Sequence, residues 1–590
     1  MAASSTPSAA SGGSTETIGL RREVGLFGGI SVLAGIMIGS GIFYIGGIVL
    51  ERSGGNLGLA LLVWAVGGLI TLLSGICFAE LGAMMPKAGG YYVYLREAYG
   101  ERVAFMCGIT NFFLSSAGSI SALALAFAAA ISSMVPMGEL AQKAIALGSI
   151  LLLTLINIRG IRQGSMVQNI FMVLKLLPIA LIIICGLAMG NESPNWFSFP
   201  EGVETPSIGT ILSMMAFAVL ATLWAYEGWT NLNTIAEEIK EPKRNIPLAL
   251  IGSIIGVAVL YVLFNFAVYK VVPYDLIQKM ISERNFYLGT VAADTLFGTW
   301  GMVIVGAAMM LAIFNSLNGC IMVFPRMYYA MARDGALFEF LGKLHPTYRT
   351  PINAQIASMV MAMILVCSRS LSELTSLVAI CGLIFHGLTF LSVIVLRRKY
   401  PTLERPYKVW LYPFSIILVL IFMLSLIVNT IWQDPVTAAL GLIVPLIGLV
   451  IYELLFRRRH DALERAKKNL QQCFAINRSL PKEGSTLSSK RPATVSAFGD
   501  LTLCLLYSSA TPASMSTADT LKRRSSALTA LSAPSDRMNL LRLRRLLTLK
   551  STTPAVVWLF PASMIRTNIC STRALHSLIF VCRMPRVLPM

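Results

Sequence analysis

Charged residues are scarce in this chain: Asp, Glu, Lys and Arg make up 13% of 590 residues, against about 25% in an ordinary soluble domain. With so few charges and 55% hydrophobic residues, a soluble enzyme is excluded. The ten cysteines form no CxxC pair, and the four histidines, His345, His386, His460 and His576, are scattered. Neither a disulfide framework nor a metal site is expected. Neither HExxH nor GxSxG occurs, so an enzyme acting within the membrane is not expected, nor is a cofactor. Residues 1–20 lack a basic segment followed by an apolar core and read as a flexible tail, not a signal peptide.

The net charge of +19 suggests nucleic acid, but its location argues against that partner. Through His460 the net charge is +6, and the last 130 residues carry +13. What the chain has in abundance is apolar sequence. Apolar windows recur at 24–50, 57–78, 103–135, 144–158, 168–189, 208–235, 246–272, 298–322, 351–367, 374–396, 411–431 and 436–456. They predict an all-α polytopic protein of twelve spans in a lipid bilayer. An even number places both termini on one side. Lys and Arg alternate between the connecting loops, 22 on one side and 6 on the other, which makes both termini cytoplasmic.

Lys175 is the basic residue left over from that count. It lies roughly 10 Å along the fifth span, where an ammonium is costly. It either snorkels back to the interface or faces the bundle interior.

Two windows are interrupted. Gly39-Ser40-Gly41 is a permissive triplet near the middle of the first, either a helix break or a small-residue packing face. Freed amides at a half-helix N-terminus there would hold a carboxylate. The sixth window carries Trp224-Ala225-Tyr226-Glu227-Gly228-Trp229, and carbonyls freed around Ala225 to Gly228 would suit an ammonium. An interfacial aromatic belt is the alternative for the two tryptophans. Together the breaks fit a zwitterion. They fall in the first and sixth spans, which predicts a five-plus-five inverted repeat: 24–189, then 208–396, with peripheral helices over 411–456.

Several segments then carry a resemblance. Phe78-Ala79-Glu80-Leu81-Gly82 followed by Pro86-Lys87-Ala88-Gly89-Gly90-Tyr91-Tyr92, the Gly-Ser-Gly triplet, Ala236-Glu237-Glu238-Ile239-Lys240-Glu241-Pro242 and Tyr329-Ala330-Met331-Ala332-Arg333-Asp334-Gly335 resemble the amino acid-polyamine-organocation (APC) superfamily. Within it the chain looks most like the L-type amino acid transporter family, especially stand-alone bacterial neutral amino acid exchangers. The resemblance implies a leucine-transporter-like fold over 21–459 and a secondary transporter of small or medium neutral L-amino acids. It implies that Gly39, Ser40 and Gly41 take the substrate carboxylate, that carbonyls of Trp224, Ala225 and Tyr226 take the amino group, and that Trp224 is the gate. Lys175 matches a span-five lysine that stands in place of a sodium ion and would tether the span-one break to span eight.

Sodium-independent exchange is the favoured mode. Proton-coupled symport is the alternative, and a non-transporting receptor or scaffold is the reading from another class. Glu227 is read as a structural carboxylate, with a counter-charge for a basic substrate as the alternative. Asn315, Ser316 and Asn318 either line the path or bond neighbouring helices. The loop 132–143 has no cysteine, so no disulfide-linked heavy chain is expected. The expected location is the plasma membrane. The last hundred residues hold 17 Leu, 13 Ser and 11 Arg, all six-codon amino acids, and 460–590 reads as a disordered or aberrant tail without function.

Overall fold

In the computed structural model the described residues are 19–192, 195–200, 206–283, 286–433 and 435–456. The proposed tail over 460–590 and all but the end of the N-terminal tail lie outside them. The described residues belong to one compact unit, Ile18–His460, built from helices.

Span 1 is two helices, Leu26–Met37 and Gly41–Arg52, bent by 51° across the break. Span 2 is Leu57–Met84, and span 3 runs over Glu101–Met134. Span 4 is Glu139–Ile158 and span 5 is Ile161–Met189. Span 6 is Ile208–Tyr226, followed by a tighter 3-10 segment, Trp229–Glu238. Span 7 is Pro242–Val271 and span 8 is Thr299–Val323, continued by a short helix, Pro325–Arg333. Spans 9 to 12 are Ile352–Ser368, Leu371–Lys399, Phe414–Gln433 and Pro435–Ile451.

The fold is the expected twelve-helix arrangement, with discontinuous first and sixth helices opening each set of five. Two of the expected spans are shorter than the rest: spans 9 and 12 have 17 residues each. At 1.5 Å per residue that is roughly 26 Å, just under the hydrocarbon thickness.

Local sequence explains where the helices start. Asn56 accepts from the Leu59 amide at 2.9 Å to open span 2, Ser207 caps span 6 through Thr210, and Ser370 caps span 10 through Glu373. Small residues set helix spacing, because lipid gives apolar helices no hydrophobic reason to associate and close packing must do so. A Cβ on Gly68 would lie 2.7 Å from that of Ala258, and one on Gly75 would lie 2.3 Å from Ile254 Cδ1, so spans 2 and 7 approach closely. Span 3 contains a π-helical turn, Asn111–Ser115, where the Asn111 side chain accepts from Tyr91 Oη at 2.5 Å.

Buried ion pairs gather at the end where the chain enters span 1. Glu80, 1% exposed, accepts from Arg397 Nε at 2.9 Å and from the Val409 amide at 2.7 Å, tying span 2 to the end of span 10 and to the connection beyond it. Arg326 and Glu238, both buried, pair through Nε at 2.9 Å and a second nitrogen at 3.2 Å. The Glu238 backbone carbonyl accepts from the amides of Glu23 and Val24, and the Lys240 amide donates to Val24. The start of span 1 is thereby joined to the end of span 6, and span 6 to span 8.

Candidate functional site

The two breaks meet. A Cβ on Gly41 would lie 3.5 Å from Ala225 Cα, and one on Gly228 would lie 2.6 Å from Ile36 Cγ2. Gly228 has φ 116°, which a larger residue rarely adopts, and it turns the chain out of span 6 into the 3-10 segment. The amino end of one half-helix therefore stands beside the carbonyl end of another, so donors and acceptors with opposite partial charge share one place.

On the donor side, Gly39 is already used: its amide donates to the Met37 carbonyl at 2.9 Å. The expectation that all three triplet residues offer free amides is corrected at that position. The amides of Ser40, Gly41 and Ile42 find no acceptor among the described residues, being the first N–H groups of the second half-helix. On the acceptor side, the Trp224 carbonyl receives the Glu227 amide at 3.3 Å and the Ala225 carbonyl receives the Tyr261 hydroxyl at 2.9 Å. The Tyr226 carbonyl is unclaimed among the described residues. The Tyr226 side chain is fixed by its hydroxyl donating to Trp64 O at 3.0 Å.

Trp224 is 41% exposed, and its indole stands beside the Tyr44 hydroxyl on the second half of span 1. The Tyr44 ring lies 6.0 Å from that of Tyr287. Glu227 is also exposed although it sits at the mid-span break, with Tyr91 and Cys320 across from it. Its carboxylate lies close to the Gly228 amide and faces open space at the break.

Lys175 does not snorkel. It is 0% exposed, and its ammonium donates to the carbonyls of Ile38 at 2.6 Å and Gly35 at 2.7 Å, with Ala34 at 3.5 Å. The Ile38 and Gly35 carbonyls lie past the last backbone donors of a half-helix, while that of Ala34 already takes the Ile38 amide. A cation at such an end is favoured by both hydrogen bonding and the macrodipole. The expected tether to span 8 is indirect: the Ser316 hydroxyl lies 3.1 Å from the same Gly35 carbonyl.

The span-8 polar residues do not line an open path. Asn315, Ser316 and Asn318 are at most 2% exposed. Asn318 joins helices, donating to Gln168 Oε1 at 2.7 Å and accepting from Asn157 Nδ2 at 2.9 Å.

Two residues that sequence reasoning passed over belong to the site. Tyr261 of span 7 has one hydroxyl proton and two carbonyls at 2.9 Å, Met37 at the first break and Ala225 at the second, so it bridges them. Gln168 of span 5 carries the Asn318 contact on to span 1, reaching the Ser31 carbonyl at 3.4 Å. Both stand out only as polar groups in apolar windows.

The geometry agrees with what the chain is similar to. Residues 24–452 match the family described as amino acid permease. The serine/threonine exchanger SteT of Bacillus subtilis (strain 168) is 33% identical over 450 residues, covering 75% of this chain and 99% of its own. The b(0,+)-type amino acid transporter 1 of Mus musculus is 34% identical over 412 residues, 68% of this chain and 81% of its own. The large neutral amino acids transporter small subunit 2 of Homo sapiens is 32% identical over 416 residues, 69% and 75%. Their functions are transport, not catalysis. With its paired broken helices and a family match across the whole helical unit, the chain belongs to the amino acid permease family.

Proposed function

We propose that this integral, multi-pass permease exchanges small or medium neutral L-amino acids across the membrane without sodium, by alternating access at the joined breaks of spans 1 and 6. The observation that carries the reading is the meeting of opposite helix ends at Gly41 and Ala225. The substrate α-carboxylate lies on the Ser40 and Gly41 amides and the Ser40 hydroxyl. Its α-ammonium lies on the Tyr226 and Ala225 carbonyls, and Trp224 closes over the bound molecule. A zwitterion leaves neither set of backbone groups bare, whereas an amine or an acid alone satisfies one. That a relative is named a serine/threonine exchanger supports small side chains.

Lys175 supplies a built-in cation on the carbonyl end of span 1, which removes the need for a sodium ion there. Exchange follows, because the hinge is held until substrate shifts the balance. If Lys175 instead gives up its proton in each cycle, the same contacts support proton symport. Both termini are read as cytoplasmic from the loop charges, the membrane is proposed to be the plasma membrane, and no disulfide-linked heavy chain is proposed because the loop 132–143 has no cysteine.

The exposure of Glu227 favours a second reading, in which its carboxylate faces the substrate side chain and admits basic amino acids. The test is competition in vesicles preloaded with serine and supplied with labelled serine. Unlabelled alanine, serine and threonine should displace the label, while glutamate should not. Displacement by arginine that is lost in Glu227→Gln would establish the second reading. Displacement by none of these would overturn the first.

A further inference from the structure

Span 8 presents two adjacent polar residues to span 1, and only one is engaged. The single proton of Ser316 is shared among the carbonyls of Gly35, Ile36 and Ala312, each at 3.1 Å. Asn315 is 0% exposed, and neither its amide nitrogen nor its amide oxygen has a partner among the described residues. Its nitrogen nevertheless stands against span 1, since a Cβ on Gly35 would lie 3.1 Å from it. The neighbouring polar side chains Lys175, Gln168 and Asn318 all have partners.

A carboxamide buried without partners is costly, and more so within a bilayer, where water does not compete to satisfy it. Hydrophobic residues fill most of this helix, so a Leu at this position would avoid the cost. The cost is accounted for if the amide finds its partner in another conformation. We propose that Asn315 is the alternate-state partner of span 1. When the half-helix Leu26–Met37 moves off Lys175 and Ser316, the Asn315 amide donates to a carbonyl within 35–38. Span 1 thereby exchanges one set of donors for another and does not cross the cycle with bare carbonyls. Asn315 is a positioning residue: it acts through span 1 and does not touch substrate.

The inference rests on the reading of span 1 as the moving hinge, and the test separates the two. Full-length wild type, Asn315→Leu, Asn315→Asp, Asn315→Gln and Lys175→Ala are assayed for exchange in proteoliposomes and for melting in detergent without substrate. Asn315→Leu and Asn315→Asp, which cannot donate to a carbonyl when the acid is ionised, should lower the maximal exchange rate about tenfold with KM within about threefold. Asn315→Leu should melt no lower than wild type, because it removes no bond present here. Asn315→Gln, which keeps the NH2 group, should retain more activity than either. A wild-type rate in Asn315→Leu alongside an inactive Lys175→Ala would overturn the assignment of Asn315 alone. Loss of rate and melting temperature together in Asn315→Leu would also overturn it, as a static contact. Normal exchange in Lys175→Ala would overturn the hinge reading and the Asn315 inference with it.

Discussion

The Lys175 ammonium lies 2.6 Å from the Ile38 carbonyl oxygen, so a side chain from span 5 caps the first half of span 1 at the point where the helix stops. A helix that ends in mid-membrane leaves carbonyls that lipid cannot satisfy, and an unpaired ammonium is equally unwelcome there. Each resolves the other. Removing either partner exposes the second, which makes this contact sensitive to substitution.

Lys175→Met should therefore abolish or sharply reduce exchange. Hydrogen bonds to a charged group contribute about 1.5–3 kcal/mol each, so loss of the two short ones shifts the hinge equilibrium by a factor on the order of a hundred or more. Lys175→Arg should fail too, because the larger guanidinium does not fit a fully buried pocket. The exchange rate in proteoliposomes checks both.

Tyr261→Phe should have a milder effect. It deletes the hydroxyl between Met37 and Ala225 and leaves the ring, which packs on Trp64 with centroids 5.2 Å apart. A neutral hydrogen bond contributes about 1 kcal/mol, so KM should rise about fivefold with the protein still folded. Initial-rate measurements on both faces of the vesicle test this.

Glu238→Ala should destabilise the protein strongly, since it leaves Arg326 as a buried unpaired charge, at a cost of about 3–5 kcal/mol. Replacing both partners, Arg326→Met with Glu238→Leu, should recover much of the melting temperature, because hydrophobic substitutes for a buried pair are often neutral or stabilising. Melting of the two variants in detergent distinguishes these outcomes.

Gly35→Ala should slow exchange, because the added Cβ would lie 2.1 Å from Gln168 Nε2 and force that side chain off Asn318. Gln168→Ala in the same chain relieves the clash and should restore part of the rate. A double-variant rate no better than that of Gly35→Ala would contradict this account.

Much of this was legible in the sequence. The breaks announce themselves because Gly39-Ser40-Gly41 and Glu227-Gly228 are permissive or polar where lipid demands apolar helix formers. Lys175 stands out for the same reason, and the resemblance gave the direction in which it points. The residues of Ala236-Glu237-Glu238 read only as a motif, and the structure gives them work: Glu237 bonds the Ala88 amide and Arg333, and Glu238 bonds Arg326. What the sequence did not disclose is which helix faces which. Tyr261 is 36 residues from Ala225 and 224 from Met37, and only the packing of span 7 between the breaks brings them together. For the span-8 residues Ser316 and Asn318 the sequence left path lining and bonding between helices equally open for the same reason. Polarity marks them, and their partners on spans 1, 4 and 5 are visible only in the packing. The π-helical turn at Asn111–Ser115 left no signal in the sequence pattern.

The central claim is exchange driven by a hinge whose cation is Lys175. Its most direct measurement is uptake of labelled neutral amino acids into proteoliposomes, preloaded or empty, in sodium-free buffer at two pH values. The account predicts uptake into preloaded vesicles only, equal at both pH values and unchanged when sodium is added. Uptake into empty vesicles that depends on sodium or on an inward proton gradient would contradict it.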